Sequence, residues 1–430
     1  DKKSFPGDNR FRNVDRSGMT SIARRGKTLP SLLASLAFSA ILISPGLPGA
    51  ATAAAAGTNI IFMVPDGMGL AEVTAARIFR FGSAGPSLAL ETLPVIGLQR
   101  THSADSTVTD SAAAASAWAM GEKFTNGEIS CHSAADPRCR HQAPTILEMA
   151  QAAGKSTGLV VTSVISDATP AAFAAHVHSR RCAAEIVRQY LEESRVDVIL
   201  GGGLGRKGDF CPAYPVSFEW PDKRAALVEL ATEKGYARVI DKSSLNQAIK
   251  ENKPKILGMF EQNGKDRGKT AELFRIDAFL GYPEKEPTLA EMTAAALTLL
   301  ERNRKGFFLL VEGSRIDWSN HANDLRGQIA EVLAFDEAVK TVLEWVEAEP
   351  ARKEATLILI APDHGTGGFA ITGPEGRLAQ AGEIIDGAWA GKGHNATDTL
   401  LRSQGPGSQK LAKTLDNTDL YKVMAEILGY

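Results

Sequence analysis

The residues of this chain best suited to chemistry are carboxylates and imidazoles that recur in five short polar strings. They are Asp66 in VPDGMG, Asp167 and Thr169 in SDATPAAF, Glu312, Asp317 and His321 in VEGSRIDWSNHAND, Asp363 and His364 in APDHGTGG, and His394 in KGHNATD. Asp and His are common zinc ligands, whereas the hard oxygens of Asp167 and Thr169 suit magnesium. Together the set has the composition that a mixed zinc and magnesium site needs.

Each string has a simpler explanation when it is taken alone. An Asp-Gly pair after a strand is frequently a turn, and a single His in a Gly-rich loop is frequently polar surface. Asp317 and His321 are four residues apart, a spacing that places two ligands on one helical face. The joint occurrence of the five strings, rather than any one of them, favours the metal site.

A sixth string, VTDSAAAASAWAMG at 108–121, contains a candidate nucleophile. Asp110 is a suitable N-cap for the Ala-rich helix, which places Ser111 in the first turn. Free backbone N–H groups and the helix dipole favour an anionic phosphate and an alkoxide there. The alternative is that both residues only cap the helix, and this string alone does not decide between the two.

Five apolar runs predict the elements that position these side chains. They are NIIFMV (59–64), TGLVVTSV (157–164), VDVIL (196–200), GFFLLV (306–311) and TLILIA (356–361). Continuous apolarity indicates strands that are buried on both faces. We therefore predict an α/β fold, a three-layer sandwich with a central, mostly parallel sheet covered by helices on both faces. Most of the polar strings follow these strands, and sites in such folds form at the carboxyl ends of strands.

Two helix starts and one insertion complete the predicted organisation. Thr288 and Glu291 have capping-box spacing, which predicts a helix over 288–304, and Thr169 is a predicted N-cap with Pro170 at the first helical position. The pattern weakens between 205 and 287, which predicts an inserted segment beside the sheet. We predict upstream residues and an export signal over 1–56 and a catalytic domain over 57–430, with 206–287 as the insertion.

Composition argues against one class of partner. The chain has 430 residues, 44% hydrophobic and 23% charged, and can bury a large core. Its formal net charge of -2 provides no basic surplus of the kind that phosphate-backbone binding requires. This argues against nucleic acid as a structural partner, although it does not exclude nucleotides as substrates.

The N-terminal residues have the order of an export signal. Arg24, Arg25 and Lys27 precede an apolar run over 29–47, and the small residues GAATAAAAG follow. The paired arginines fit the twin-arginine route. The alternative is a retained membrane anchor, but a serine and prolines interrupt the run, which is short for a span. We predict a periplasmic or secreted protein without a stable membrane span after signal removal.

Four cysteines follow this region and allow three disulfide connectivities. Proximity in sequence favours Cys131 with Cys139 and Cys182 with Cys211, which would close two short loops in an oxidising compartment. The alternative is a Cys-rich zinc site. The absence of any CxxC spacing in the sequence argues against it.

From about Asn59 to the C-terminus the chain resembles the secreted bacterial alkaline phosphatases. The strings that carry the resemblance are VTDSAAAASAW, DATPAAFAAHV, PTLAEMT, GFFLLVEGSRID, DHGTGG and GHNATD. It implies an enzyme with two zinc ions and one magnesium ion that hydrolyses phosphate monoesters to an alcohol and inorganic phosphate through a covalent phosphoserine. It also implies a homodimer.

The resemblance assigns a role to each candidate residue. It implies Ser111 as the nucleophile; Asp317, His321 and His394 as ligands of the first zinc; Asp66, Asp363 and His364 as ligands of the second; Asp66, Thr169 and Glu312 as magnesium ligands, with Asp167 orienting a water; and Arg180, or else Arg181, as the group that binds two phosphate oxygens. Trp318 is expected beside the substrate, where many bacterial members carry Lys and others His. Other members have His where this chain has Asp167. The combination of Asp167 with Trp318 therefore makes the third metal site less typical of the family than the two zinc sites.

Three other functions compete with this one. A phosphodiesterase, sulfatase or phosphomutase would share the two-metal ligand set, but Ser111 in DSAAAAS and the matching Arg180 favour a monoesterase. A metal-binding or phosphate-binding protein without turnover would be expected to lack Ser111 or a ligand, and this chain has them all. The string GGGLG (201–205) resembles a nucleotide loop but lacks the rest of a dinucleotide fingerprint.

Overall fold

The structure is a computed structural model that describes residues 57–140, 142–203, 211, 222–260 and 285–430. The predicted export signal lies outside the described residues. The strands are β1 Asn59–Val64, β2 Val95–Arg100, β3 Ser156–Val164, β4 Val198–Gly202, β5 Ala237–Val239, β6 Ile256–Met259, β7 Phe307–Glu312, β8 Thr356–Ile360, β9 Gly365–Thr366, β10 Phe369–Ile371, β11 Gly387–Trp389, β12 His394–Asn395, β13 Thr399–Gln404 and β14 Thr414–Asp416.

Helices alternate with these strands along most of the chain. They are α1 Leu70–Phe81, α2 Ser111–Met120, α3 Ile146–Ala152, α4 Ala168–Ala174, α5 Ala183–Glu192, α6 Asp222–Glu233, α7 Lys242–Lys250, α8 Leu289–Leu300, α9 Arg315–Ala322, α10 Leu325–Glu347, α11 Pro350–Ala355 and α12 Thr418–Leu428. Short 3-10 turns lie at Ala89–Thr92 and Ser408–Leu411.

Ten strands of the described chain form one sheet in the order β14-β2-β13-β8-β1-β7-β3-β4-β6-β5. β1 lies between β7 and β8 and is parallel to both, whereas β13 is antiparallel to both of its neighbours. The five predicted strands are all present and adjacent in this order. Two small antiparallel pairs, β10 with β11 and β12 with β9, stand apart from the large sheet.

Alternate side chains of β1 enter two separate cores, which produces the predicted three layers. Ile60, Phe62 and Val64 belong to a core that includes residues of α2, α3, α4, α5 and α12. Ile61 and Met63 belong to a second core with residues of α1, α8 and α10. Because both faces of the central strand are fully buried, its sequence is continuously apolar. The predicted sandwich is confirmed.

One predicted helix start is right and one is wrong. Thr288 caps α8 with a reciprocal Glu291 capping box, and the helix ends at Leu300. The predicted N-cap at Thr169 is wrong, because α4 begins at Ala168 and Asp167 is the N-cap; its Oδ1 accepts a hydrogen bond from the Ala168 amide at 2.8 Å. Pro170 is therefore the third helical residue.

The described part of the predicted insertion does not lie beside the sheet but extends it. β6 pairs in parallel with β4, and β5 pairs in parallel with β6. α6 and α7 precede these two strands, α6 before β5 and α7 before β6. The ends of the insertion stay a prediction.

Both predicted disulfides are present. Cys131 pairs with Cys139 and Cys182 with Cys211, with Cα–Cα distances of 5.4 and 4.9 Å. No thiol remains for a Cys-rich zinc site. Across the described ranges, the structure contains no helix with the length and apolar character of a membrane span.

Candidate active site

The candidate ligands meet because neighbouring parallel strands end at the same edge of the sheet. Asp66 follows β1, Glu312 is the last residue of β7, and Asp363 with His364 follows β8. Asp167 follows β3, the next strand beyond β7. This is the strand-end arrangement that the sequence predicts.

Asp66, Asp363 and His364, here called the Asp66 group, form one candidate cation site. One ligand atom from each lies within 4.8 Å of the others. Nε2 of His364 is 3.1 Å from Asp363 Oδ2 and 3.8 Å from Asp66 Oδ1. All three side chains are buried, and burial together with the charge of Asp363 raises the pKa of Asp66 well above its usual value.

Unpartnered oxygens in this region fit a bound cation. Asp66 Oδ1, Asp363 Oδ2 and Glu312 Oε2 are buried without a hydrogen-bond partner in the described chain. A buried carboxylate oxygen is costly unless a donor or a metal compensates it. The donor set of two carboxylates and an imidazole suits zinc.

A second candidate site, the Asp317 group, contains Asp317, His321 and His394. α9 presents Asp317 Oδ2 3.3 Å from His321 Nε2, as the four-residue spacing predicts. β12 brings His394 Nε2 to 3.2 Å from His321 Nε2 and 3.6 Å from Asp317 Oδ1. Burial would raise the pKa of Asp317, but the His321 hydrogen bond and the nearby imidazoles hold it at about 2.

The Asp66 and Asp317 groups adjoin each other. The rings of His364 and His394 stack with centroids 3.5 Å apart, and atoms of Asp317, His364 and His394 also lie within 4.8 Å of one another. Two cations held by these groups would therefore be neighbours.

Glu312, Asp167 and Thr169, here called the Glu312 group, are the residues predicted for the magnesium site. Glu312 and Thr169 are each 1% exposed. Burial and the nearby charge of Asp167 raise the pKa of Glu312 to about 8. An all-oxygen donor set with two carboxylates suits a hard divalent cation.

The Asp-Gly string forms a turn, and its glycine, Gly67, also contacts residues of the site. Its φ is +70°, and a Cβ there would lie 2.8 Å from Cα and Cβ of Asp317. Its amide donates to Asp363 Oδ1, and its carbonyl accepts from Asn320 Nδ2. Only glycine fits this conformation and this close approach.

Ser111 lies at the start of α2, as predicted. Asp110 is the N-cap, and its Oδ1 accepts from the Ala113 amide at 3.0 Å. The Ser111 hydroxyl is 3.2 Å from Nε2 of His364 and is nearly buried. The candidate nucleophile is therefore adjacent to the Asp66 group.

Arg180 is held beside Ser111 by two carboxylates. Its Nη1 donates to Asp110 Oδ2 at 3.1 Å and its Nη2 to Asp167 Oδ1 at 3.0 Å. Burial would lower the pKa of the guanidinium, but the charges of Asp167 and Asp110 raise it. Arg181, the alternative, is exposed.

Asp110 and Asn320 extend the site beyond the predicted ligands. The contact of Asp110 with Arg180 has no signature in sequence spacing, although its place before Ser111 is a clue. Asn320 lies between Asp317 and His321 in the sequence of α9 and is fully buried. No sequence pattern pointed to it as a site residue. Trp318 is partly exposed, and the Arg315 guanidinium carbon lies 5.4 Å from its ring centroid. Arg315 in turn approaches the buried Glu331 at 3.6 Å.

Residues 57–387 match the family model for alkaline phosphatase. The chain belongs to the alkaline phosphatase family. Its similarity to alkaline phosphatase of Escherichia coli K12 is 35% identity over 86% of each chain. It is 33% identical to streptomycin-6-phosphate phosphatase of Streptomyces griseus, over 91% of this chain and 96% of the relative.

Solved structures agree with this membership. A variant of TAB5 alkaline phosphatase, with Mg bound in its M3 site, has a TM-score of 0.67 and 26% identity, covering 87% of this chain and 99% of its own. Membership in the alkaline phosphatases supports metal-dependent hydrolysis of phosphate monoesters. Candidate metal-binding groups are present in the described chain, with Asp66, Asp363 and His364 in one and Asp317, His364 and His394 in another.

Proposed function

We propose that this alkaline phosphatase hydrolyses phosphate monoesters through a covalent phosphoserine at Ser111, with two zinc ions and one magnesium ion. The observation that carries the proposal is the contact of 3.2 Å between Ser111 Oγ and His364 Nε2, at the N-terminus of α2. A nucleophile at this position has the helix dipole and free amides to favour an anionic phosphate.

The chain's residues divide between metal binding and substrate binding. The Asp317 group would hold one zinc and the Asp66 group the other, while the Glu312 group with Asp66 would hold magnesium and Asp167 would orient a water. When bound, the metal ions would stabilise the charge on the attacking and leaving oxygens. Buried, unpartnered carboxylate oxygens in the Asp66 and Glu312 groups support that assignment.

Ser111 and Arg180 would act on the substrate itself. The Ser111 oxygen forms a bond to phosphorus while the ester P–O bond breaks and the alcohol leaves with a proton. Water then attacks the phosphoserine, which restores Ser111 and releases inorganic phosphate. Arg180, which donates one hydrogen bond each to Asp110 and Asp167, keeps further N–H donors for phosphate oxygens.

A paired assay tests the proposal. A chromogenic phosphate monoester and a diester are compared at equal concentration, with and without a chelator, and then with zinc and magnesium restored. We expect fast, chelator-sensitive hydrolysis of the monoester and recovery on adding metal. Preference for the diester would instead favour a phosphodiesterase, and chelator-resistant turnover would contradict the metal assignment.

We also propose export to the periplasm or medium and a homodimer. The two disulfides support an oxidising compartment, and family membership supports the dimer. Fractionation with N-terminal sequencing of the mature protein checks the first proposal. Light scattering after size-exclusion chromatography checks the second.

A further inference from the structure

Thr366 contacts every segment that carries a candidate zinc ligand. It is 1% exposed and lies in β9 directly after the Asp66 group. Its amide donates to the Gly67 carbonyl at 3.1 Å, next to Asp66. In the β9–β12 pair it is the register partner of His394. The reaction proposed above assigns no role to Thr366.

The hydroxyl of Thr366 joins the two ligand groups directly. Its Oγ1 is 2.6 Å from Asp317 Oδ1 and 3.2 Å from His364 Nδ1. A hydroxyl has one proton, and an ionised carboxylate only accepts, so the Thr366 proton goes to Asp317. Thr366 Oγ1 can then only accept from His364, which places the imidazole proton on Nδ1.

This choice of tautomer has a consequence on the other side of the ring. With its proton on Nδ1, His364 has a free lone pair on Nε2. That atom faces Ser111 Oγ at 3.2 Å and Asp363 Oδ2 at 3.1 Å. Hydrogen bonds to the remote nitrogen of a ligand His commonly fix its orientation and its basicity.

We propose that Thr366 is a positioning residue whose hydroxyl couples the Asp66 group to the Asp317 group. It holds His364 with Nε2 available as a ligand and holds the Asp317 carboxylate at the same time. The inference rests on the proposed zinc sites. Its consequence is that removing one hydroxyl weakens both sites together, although Thr366 itself binds no metal.

Thr366→Val and Thr366→Ser separate this role from simple packing. Valine keeps the volume and removes the hydroxyl, whereas serine restores the hydroxyl on a smaller side chain. Thr293→Val is the matched control, because Thr293 is also fully buried but donates to the Leu289 carbonyl in its own helix at 2.7 Å. Zinc affinity is measured by chelator competition and metal analysis, and ligand geometry by the visible spectrum of the cobalt-substituted proteins.

We expect Thr366→Val to lose about 10- to 100-fold in zinc affinity at both sites and to change the cobalt spectrum. Thr366→Ser should recover most of the affinity, and Thr293→Val should match wild type. If wild type binds zinc at both sites and Thr366→Val has the same zinc affinity and cobalt spectrum, the role of Thr366 is wrong and the proposed zinc sites are unaffected. Absence of zinc binding in wild type would overturn the metal sites and this inference together.

Discussion

Asp110 Oδ2 lies 3.1 Å from Arg180 Nη1 although the residues are 70 positions apart. The same carboxylate uses Oδ1 to accept from the Ala113 and Gly127 amides. Asp110 therefore joins the start of the nucleophile's helix to the residue proposed to bind phosphate. Asp110 is thus one of the two carboxylates that hold Arg180, and the one that also caps this helix.

Asp110→Asn should weaken phosphate binding. The amide oxygen can keep the Ala113 and Gly127 contacts, but the charge that holds Arg180 is lost. We expect KM for a monoester and the inhibition constant for inorganic phosphate to rise about 3- to 10-fold, because a net hydrogen bond contributes about 1 kcal/mol and Asp167 still holds Arg180. Asp105→Asn is the control, since Asp105 bonds to Ser103 and the Asn126 amide. Equal constants in Asp110→Asn and wild type would contradict the role of Asp110.

Ser111→Ala should abolish the phosphoenzyme and most turnover while zinc content stays normal. The ligand groups do not include Ser111, so their donors are intact. Trapping of labelled phosphate at low pH and metal analysis measure both quantities. Ser116→Ala in the same helix should still form the phosphoenzyme, because Ser116 bonds to the Glu128 carbonyl away from the site. Phosphate trapped on Ser111→Ala would show that another residue is the nucleophile.

Gly67→Ala should lower zinc content far more than its backbone strain explains. A residue with a Cβ at positive φ is strained by about 1–2 kcal/mol, but at Gly67 the Cβ would also press on Asp317 at 2.8 Å. Gly376→Ala is the matched control, because the φ of Gly376 is +71° and a Cβ at that position would meet nothing within 4 Å. Equal zinc content in the two variants would exclude the clash as the cause.

The central strands could be predicted because burial on both faces leaves a continuous apolar run. NIIFMV corresponds residue for residue to β1. β2 was not predicted, because its residues are alternately buried and exposed and apolar residues such as Ile96 and Leu98 occupy exposed positions. β5 and β6 are only three and four residues long and lie in weakly patterned sequence.

The site was predictable as a set of ligand types but not as a network. Asp317 and His321 share a helix, so their spacing is a local signal. The contacts of Asp110 with Arg180 and of Thr366 with Asp317 join distant segments, and no sequence spacing encodes them. The start of α4 was misplaced for a local reason, because Asp167 and Thr169 are both acceptable N-caps and only the structure shows which one is used.

Glu148→Gln should destabilise the protein more at low pH than at high pH. Burial alone would lower the pKa of His176, but its hydrogen bond to Glu148 and that residue's charge raise it, with smaller contributions from the Ser130 carbonyl and from Glu193. A raised histidine pKa adds stability that is complete below the unfolded pKa, about 6.5, and is lost as pH rises through the folded value. Gln keeps an oxygen for the capping box with Thr145.

Thermal unfolding at about pH 5.5 and about pH 9 measures this difference. The control is Glu122→Gln, because Glu122 pairs with His132 at the surface, where an ion pair contributes little. A Glu148→Gln loss of equal size at both pH values would contradict the titration of His176 as its cause.

Trp318→Lys should tighten inhibition by inorganic phosphate and lower the maximal rate. The resemblance to the alkaline phosphatases implies that position 318 lies beside the substrate, so a lysine there would bring an ammonium close to bound phosphate. That charge attracts product as strongly as substrate, and such uniform binding slows a reaction that product release limits. Because water partly screens the attraction between this ammonium and phosphate, we expect the inhibition constant for phosphate to fall by only about 3- to 10-fold. We also expect the magnesium dependence to shift.

The matched control is Trp345→Lys, because Trp345 also lies under an arginine, with Arg352 Cζ 4.6 Å from its ring, but belongs to α10. Both variants lose a cation–π contact, and only Trp318→Lys adds charge beside the candidate ligands. Phosphate inhibition constants are measured at fixed ionic strength and again at high salt, where screening should reduce the effect. If Trp318 only packs, the inhibition constant of Trp318→Lys will equal or exceed that of wild type, and the electrostatic explanation is then wrong.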